Sequence, residues 1–259
     1  MTSASITQVS ATGCGQCRNG KQPGFAFSMA FQPIVDIHSG EIFAQEALAR
    51  GPEGEPAGQV LQQVHNDNLY QFDQACRVKA IELAARLNLP PPTYLSINFM
   101  PRAVYEPERC IATTLKAAAA NGFPTDRIIF EVTEQEKLDD QNHLKRILQY
   151  YRRQGFLTAI DDFGAGHSGL NLLCDFQPDI VKLDMAMLRG IHQDPVRQAV
   201  VRGVLRICED LSIRAVAEGV ESADEMHTLR DLGAELFQGY HFARPAFEAL
   251  PEVPAERLR

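Results

Sequence analysis

Short apolar runs recur along this chain, and between them the apolar positions change to helical spacing. The runs read as strands are Met29–Val35, Ile42–Leu48, Tyr94–Phe99, Ile128–Glu131, Leu157–Asp161, Ile180–Leu183, Arg214–Ala217 and Leu236–Gln238. Helices are predicted where the period lengthens. Cys76, Ala80, Leu83, Ala84 and Leu87 form one such series, Leu144, Ile147, Leu148 and Tyr151 a second, and Val200, Val201, Val204, Leu205 and Cys208 a third. The third helix is predicted to start at Asp194–Pro195, a capping acid followed by a proline at the first helical position. Eight strands alternating with helices predict an α/β protein. A (β/α)8 barrel fits this length, and a doubly wound open sheet is the rival that periodicity does not separate from it. No linker or fixed-period repeat interrupts the pattern. The expectation is one domain over residues 25–259, after a flexible N-terminal tail over residues 1–24 rich in Ser, Thr, Gly and Gln.

Composition narrows the chemistry. With 259 residues, 45% of them hydrophobic, the chain can bury a sizeable core. A net charge of −8 argues against a basic nucleic-acid surface, so no DNA binding is expected, and a phosphate ligand would need local cations or metal ions. No stretch has the length and apolarity of a membrane span, and Met1 to Gly24 lacks the apolar segment of a signal peptide. A cytoplasmic protein without a membrane partner is therefore expected, with reduced cysteines. Cys76 and Cys208, on apolar helix faces, are read as small buried hydrophobes.

The polar residues add position. Glu46, Asn98, Glu131, Asp161 with Asp162, Lys182, Glu218 and Gln238 each lie at or near the end of a strand candidate. In a barrel those ends converge on one mouth, so residues spread over most of the chain would meet. Crowded carboxylates repel and must take up protons or cations. An oxygen-rich set suits Mg2+ or Mn2+ rather than zinc. Adjacent Asp161 and Asp162 can serve two ions, an arrangement known for phosphodiester hydrolysis. Taken singly, each residue has a plainer reading: a Glu at a strand end as a solvated cap, Asp-Asp before Phe-Gly as the start of a turn, Lys182 as surface. Their recurrence at one end of consecutive strands is what favours a site.

The same residues sit in a set of motifs. QEALAR contains Glu46-Ala47-Leu48; INFMP spans Ile97–Pro101; FEVTE spans Phe130–Glu134; DDFGAGHSGL spans Asp161–Leu170; KLD, AEGVE and QGYHFARP follow at Lys182, Ala217 and Gln238. In order and spacing, over roughly Phe25 to Pro251, the chain resembles the EAL-domain family of cyclic di-GMP phosphodiesterases. The resemblance implies a modified TIM barrel with one antiparallel strand. It implies hydrolysis of cyclic di-GMP to linear pGpG with Mg2+ or Mn2+ at a two-metal site, inhibition by Ca2+, and a homodimer. It further implies Glu46, Asn98, Glu131 and Asp161 at the first metal, and Asp161, Asp162 and Glu218 at the second. Lys182 and Glu218 would activate water, Gln238 would support the site, and Arg50 would contact phosphate. Glu134 would anchor a mobile loop over Phe163–Leu170, and Glu221 would have a supporting role.

His167 departs from the family pattern, where Tyr is usual, and is read as neutral. Cys14 and Cys17 form a C-x-x-C without a second pair, and are read as incidental thiols of the tail. Two rival functions remain. One is a non-catalytic cyclic di-GMP receptor acting through a protein partner; the complete ligand set argues for the enzyme instead. The other is a two-metal phosphohydrolase acting on a different diester. Regulation is left to the tail, dimerisation, expression level or a regulatory protein partner, and the family commonly controls biofilm formation and motility in bacteria.

Overall fold

All eight expected strands form in the computed structural model, which describes residues 23–134, 141–166 and 169–258. They are β1 Ser28–Asp36, β2 Glu41–Arg50, β3 Tyr94–Asn98, β4 Ile128–Thr133, β5 Leu157–Phe163, β6 Ile180–Leu183, β7 Arg214–Ala217 and β8 Leu236–Phe237. A short ninth strand, β9 Ala246–Phe247, follows. Helices fill the intervals: α1 Ala57–Leu61 and α2 Leu69–Arg86 after β2, α3 Pro107–Cys110 and α4 Ala112–Ala120 after β3, and α5 Gln141–Arg153 after β4. Then come α6 Gly169–Asp175, α7 Met185–Leu188, α8 Pro195–Asp210 and α9 Ala223–Asp231. Cys14, Cys17 and His167 lie outside the described residues, as does nearly all of the expected tail.

Strands β2 through β8 pair in parallel, in chain order. The open-sheet rival falls because β1 lies antiparallel against both β2 and β8 and closes the barrel. The direction of β1 follows from its connection. Only Ile37–Gly40 separate it from β2, too few residues for the crossover that a parallel pair needs. Asp36 builds the turn, its Oδ1 accepting the N–H groups of His38 and Ser39 at 2.9 and 3.2 Å. Strand β9 pairs with the start of β1.

Apolar residues pack in three places. One cluster joins β1–β4 to α2, α4 and α5, and includes Phe99, Phe130, Leu144 and Tyr151. A second joins β5–β8 to α8 and α9, and includes Val181, Val201, Leu229 and Phe237. The third fills the barrel interior at one end: Ile34, Phe43, Ala44, Ile129, Ala159, Ile180, Val216 and Leu236. Full burial of such side chains contributes about 1.5–3 kcal/mol each. Cys76 and Cys208 are buried, as expected. Helix α8 is capped as predicted, Asp194 accepting from the N–H groups of Val196 and Arg197; a cap of this kind is worth about 1 kcal/mol. Val200 is a correction: it is half-exposed rather than on the core face of α8. No helix among the described residues is long and apolar enough to cross a membrane.

Candidate active site

Strand alternation carries the barrel from an apolar floor to a polar mouth. Two positions beyond Ala44, Ile129, Ala159, Ile180, Val216 and Leu236 stand Glu46, Glu131, Asp161, Lys182, Glu218 and Gln238. Side chains two apart on a strand share a face, so each floor residue is followed inward by a polar one. Asp162 breaks the rule, since neighbours in a regular strand face opposite ways. Here β5 carries a register irregularity between Ile160 and Phe163, and Asp162 takes a left-handed backbone, φ 54°. This bulge brings both aspartates to the same cavity.

The centre of the site is Lys182, 1% exposed. Its Nζ lies 2.7 Å from Glu218, 3.0 Å from Glu131, 3.1 Å from Asp161 and 3.2 Å from Glu46. Around it Asn98 Nδ2 donates to Glu46 at 2.9 Å, Gln238 Nε2 donates to Glu46 at 2.7 Å, and the Ser96 hydroxyl donates to Glu131. Glu46, Glu131 and Asp161 bring ligand oxygens within 4.8 Å of one another, and so do Asp161, Asp162 and Glu218. One ammonium does not neutralise five carboxylates. Burial, opposed by Lys182 and reinforced by Glu46 and Asp161, pushes Glu131 up to about 8. Burial together with Asp161 and Asp184 pushes Asp162 up to about 6. Glu218 is also raised well above the usual carboxylate range, chiefly by burial. Burial opposes the charge of Lys182, but Asp161, Glu131, Glu218 and Glu46 outweigh it and hold the ammonium well above its ordinary value. The donors are hard oxygens in two triads that share Asp161. That chemistry fits a pair of small divalent cations, and Asn98 completes the set once its carboxamide turns its oxygen inward.

Glu134 follows β4 and its carboxylate accepts from the N–H groups of Gly164 and Gly166, at 2.7 and 3.4 Å. A Cβ on Gly166 would stand 2.6 Å from a Glu134 oxygen, so a side chain there would push the carboxylate out of these bonds. Gly239 serves similarly beside Gln238, because a Cβ there would run into the Val220 backbone. Glu221 lines the cavity and pairs with Arg189 at 2.9 Å. Arg50 ends β2 and donates to the Ala49 carbonyl at 2.8 Å; it is not among the residues lining the cavity around Lys182.

That cavity, about 320 Å3, also exposes residues missing from the sequence reading: Gln32, Asp184 and Tyr240. Gln32 sits opposite Glu46 on antiparallel β1 and is held through Nε2 by the Ala243 carbonyl at 3.2 Å. Because β1 runs antiparallel, Gln32 reaches the mouth from mid-strand and not from a C-terminal strand end. Asp184 could have been found in KLD, but it also caps α7. Glu225, buried, accepts from the N–H groups of Gly190 and Glu221 and ties α9 to the AEGVE loop.

Residues 22–245 match the EAL domain family. The chain is 31% identical over 232 residues to the cyclic di-GMP phosphodiesterase RocR of Pseudomonas aeruginosa, a match covering 85% of this chain and 57% of the relative. Among solved structures, a standalone versatile EAL protein from Vibrio cholerae O395 in its c-di-GMP-bound form superposes with TM-score 0.88 at 55% identity, covering 91% of this chain and 99% of that one. BlrP1 of Klebsiella pneumoniae, in a manganese and cyclic di-GMP complex, superposes with TM-score 0.84 at 37% identity, covering 89% of this chain and 59% of that one. The chain spans 55%, 28% and 26% of three of the curated relatives it matches. A barrel closed by one antiparallel strand, an acidic mouth centred on a buried lysine and a match over most of the sequence lead to one assignment: the chain belongs to the EAL domain family.

Proposed function

We propose that this chain is a metal-dependent phosphodiesterase that opens cyclic di-GMP to linear pGpG. The observation that carries the reading is the pair of carboxylate triads sharing Asp161 around Lys182. Glu46, Asn98, Glu131 and Asp161 would hold one Mg2+ or Mn2+ ion, and Asp161, Asp162 and Glu218 the other, with Ca2+ as an inhibitor. When bound, the ions supply Lewis-acid charge to the diester and make a water nucleophilic at neutral pH. Lys182 holds the carboxylates in register and orients the attacking water through Nζ. Glu218 Oε1 takes the proton that this water loses. The water oxygen bonds to phosphorus, the bond to the 3′ oxygen breaks, and that oxygen gains a proton. Gln238 fixes Glu46, and Arg50, at the end of β2, would contact phosphate after leaving the Ala49 carbonyl. Glu134 and Glu221 shape the loops around the cavity. The cyclic di-GMP named for the solved neighbours and the activity named for RocR support this substrate.

The reading includes a homodimer. Helix α8 carries Val196, Val200 and Ile207 in one exposed stripe that Leu211 continues just past its end, with exposed Gly203 between them. Two copies crossing antiparallel at Gly203 would set Val196 and Val200 against Ile207 and Leu211 of the other copy.

The test is incubation of the purified protein with cyclic di-GMP plus Mg2+, Mn2+ or EDTA, followed by chromatography. Metal-dependent pGpG supports the proposal, and Glu46→Ala is expected to abolish it. Near-normal turnover by Glu46→Ala would overturn the ligand assignment. Binding without cleavage in all three conditions would make the protein a receptor.

A further inference from the structure

A second group of charged side chains lies outside the barrel, behind the metal-ligating ends of β3 and β4. Asp73 and Arg77 stand one turn apart on α2, their side chains 1% and 0% exposed. Asp73 Oδ2 is 2.7 Å from Arg77 Nη2, a buried ion-pair contact. Such a pair is weak evidence for stability, because apolar residues of similar volume often replace it without loss. Its other contacts show where it acts. Asp73 Oδ1 accepts the N–H of Met100 at 2.8 Å, two residues beyond Asn98. Arg77 Nη1 donates to the Tyr151 hydroxyl of α5 at 2.8 Å. The guanidinium carbon is 5.4 Å from the Phe99 ring centre and 5.2 Å from that of Phe130.

Phe99 and Phe130 are the chain neighbours of Asn98 and Glu131. They pack in the cluster outside the barrel while Asn98 and Glu131 meet inside it, as alternation requires. Asn98 and Glu131 are register partners, and the Phe99 N–H donates to the Glu131 carbonyl at 3.0 Å. One guanidinium therefore spans the backs of two neighbouring ligand positions, and its carboxylate partner holds the backbone immediately after one of them.

We propose that Asp73 and Arg77 are positioning residues for the metal site: touching neither metal nor substrate, they set where Asn98 and Glu131 stand. This inference rests on the metal site proposed above. Groups that orient metal ligands typically change affinity 10- to 100-fold when removed.

The experiment is direct Mn2+ titration of the full chain by calorimetry, with thermal midpoints measured alongside. Asp73→Leu removes the acceptor for the Met100 N–H and is expected to weaken Mn2+ binding at least about 10-fold. Asp73→Asn discards the charge but keeps an acceptor of the same shape. It should lower the thermal midpoint as Asp73→Leu does, yet stay within about threefold of wild-type affinity, on the same scale. A purely structural pair predicts that affinity follows stability, so equal Mn2+ affinities for the two variants would overturn the proposal. Arg77→Lys keeps the ion pair but loses the flat guanidinium over the two rings. It decides the matter if Asp73→Leu does not fold: weakened Mn2+ binding is expected, and wild-type affinity would overturn the proposal. A wild-type protein that takes up no Mn2+ would overturn the metal site and this inference with it, whereas Mn2+ uptake with the variants unaffected overturns this inference alone.

Discussion

Glu131 shows at the scale of one residue how the site is poised. Its carboxyl is buried among Glu46, Asp161 and Lys182, and it ionises only near pH 8 in the folded, metal-free chain. In the unfolded chain it ionises near 4.5. Below 4.5 both states hold the proton. Between 4.5 and about 8 the folded state retains a proton that the unfolded state has lost, so stability falls as pH rises. Asp162 acts in the same sense up to about 6, and His241, lowered by burial, acts oppositely but below 6.5. Glu218, also raised well above the usual carboxylate range by burial, acts in the same sense as Glu131, so between pH 7 and 8.5 these two carboxyls both lower stability as pH rises. The thermal midpoint of chelator-treated protein is therefore expected to fall across that interval, measured by calorimetry. Mn2+ should reverse the trend, because ligands must give up protons to bind it and do so more readily at high pH. A metal-free midpoint that rises over the same interval would contradict the burial of ionisable Glu131 and Glu218.

At the scale of elements, α8 separates two kinds of apolar position. Val201, Val204, Leu205 and Cys208 face the core at spacings of 3, 1 and 3 residues, whereas Val200 is rotated about 100° away from Val201. Helical period placed Val200 in the core series, wrongly, because an apolar residue beside a core position fits either face. Its exposed companions Val196, Ile207 and Leu211 identify a second stripe. Val200→Glu is expected to shift the protein from dimer to monomer in sedimentation while moving stability by no more than about 0.5 kcal/mol, as for ordinary surface changes. A wild-type chain that sediments as a monomer would remove the proposed interface. Strand β5 makes the complementary point. Its sequence reads as a regular strand ending in two acids, but alternation would send Asp161 and Asp162 to opposite faces, and only the bulge at Asp162 reunites them.

At the scale of the molecule, the proposed ligands come from β2, β3, β4, β5 and the residue after β7, so metal binding and folding would be linked. An ion bound by the folded chain and not the unfolded one, at 100 times its dissociation constant, adds about 2.7 kcal/mol. For a domain of this size that corresponds to a rise of roughly 5–11 °C in thermal midpoint. Mn2+ is expected to raise the midpoint by that much, and Glu46→Ala to lose most of the rise; an unchanged wild-type midpoint at saturating Mn2+ would argue against the site. The eight strands along the chain and the polar residues at or near their ends were legible in the sequence, because period-two patterning and burial are local consequences of residue type; closure into a barrel rather than an open sheet was not legible from that pattern. The family was legible, since its motifs are contiguous. The place of Gln32, the shared facing of Asp161 and Asp162 and the Asp73–Arg77 pair behind β3 were decided by tertiary structure alone. Each depends on which segments meet in space, and a polar residue at helical or strand spacing looks the same in the sequence whether it meets water or a buried partner.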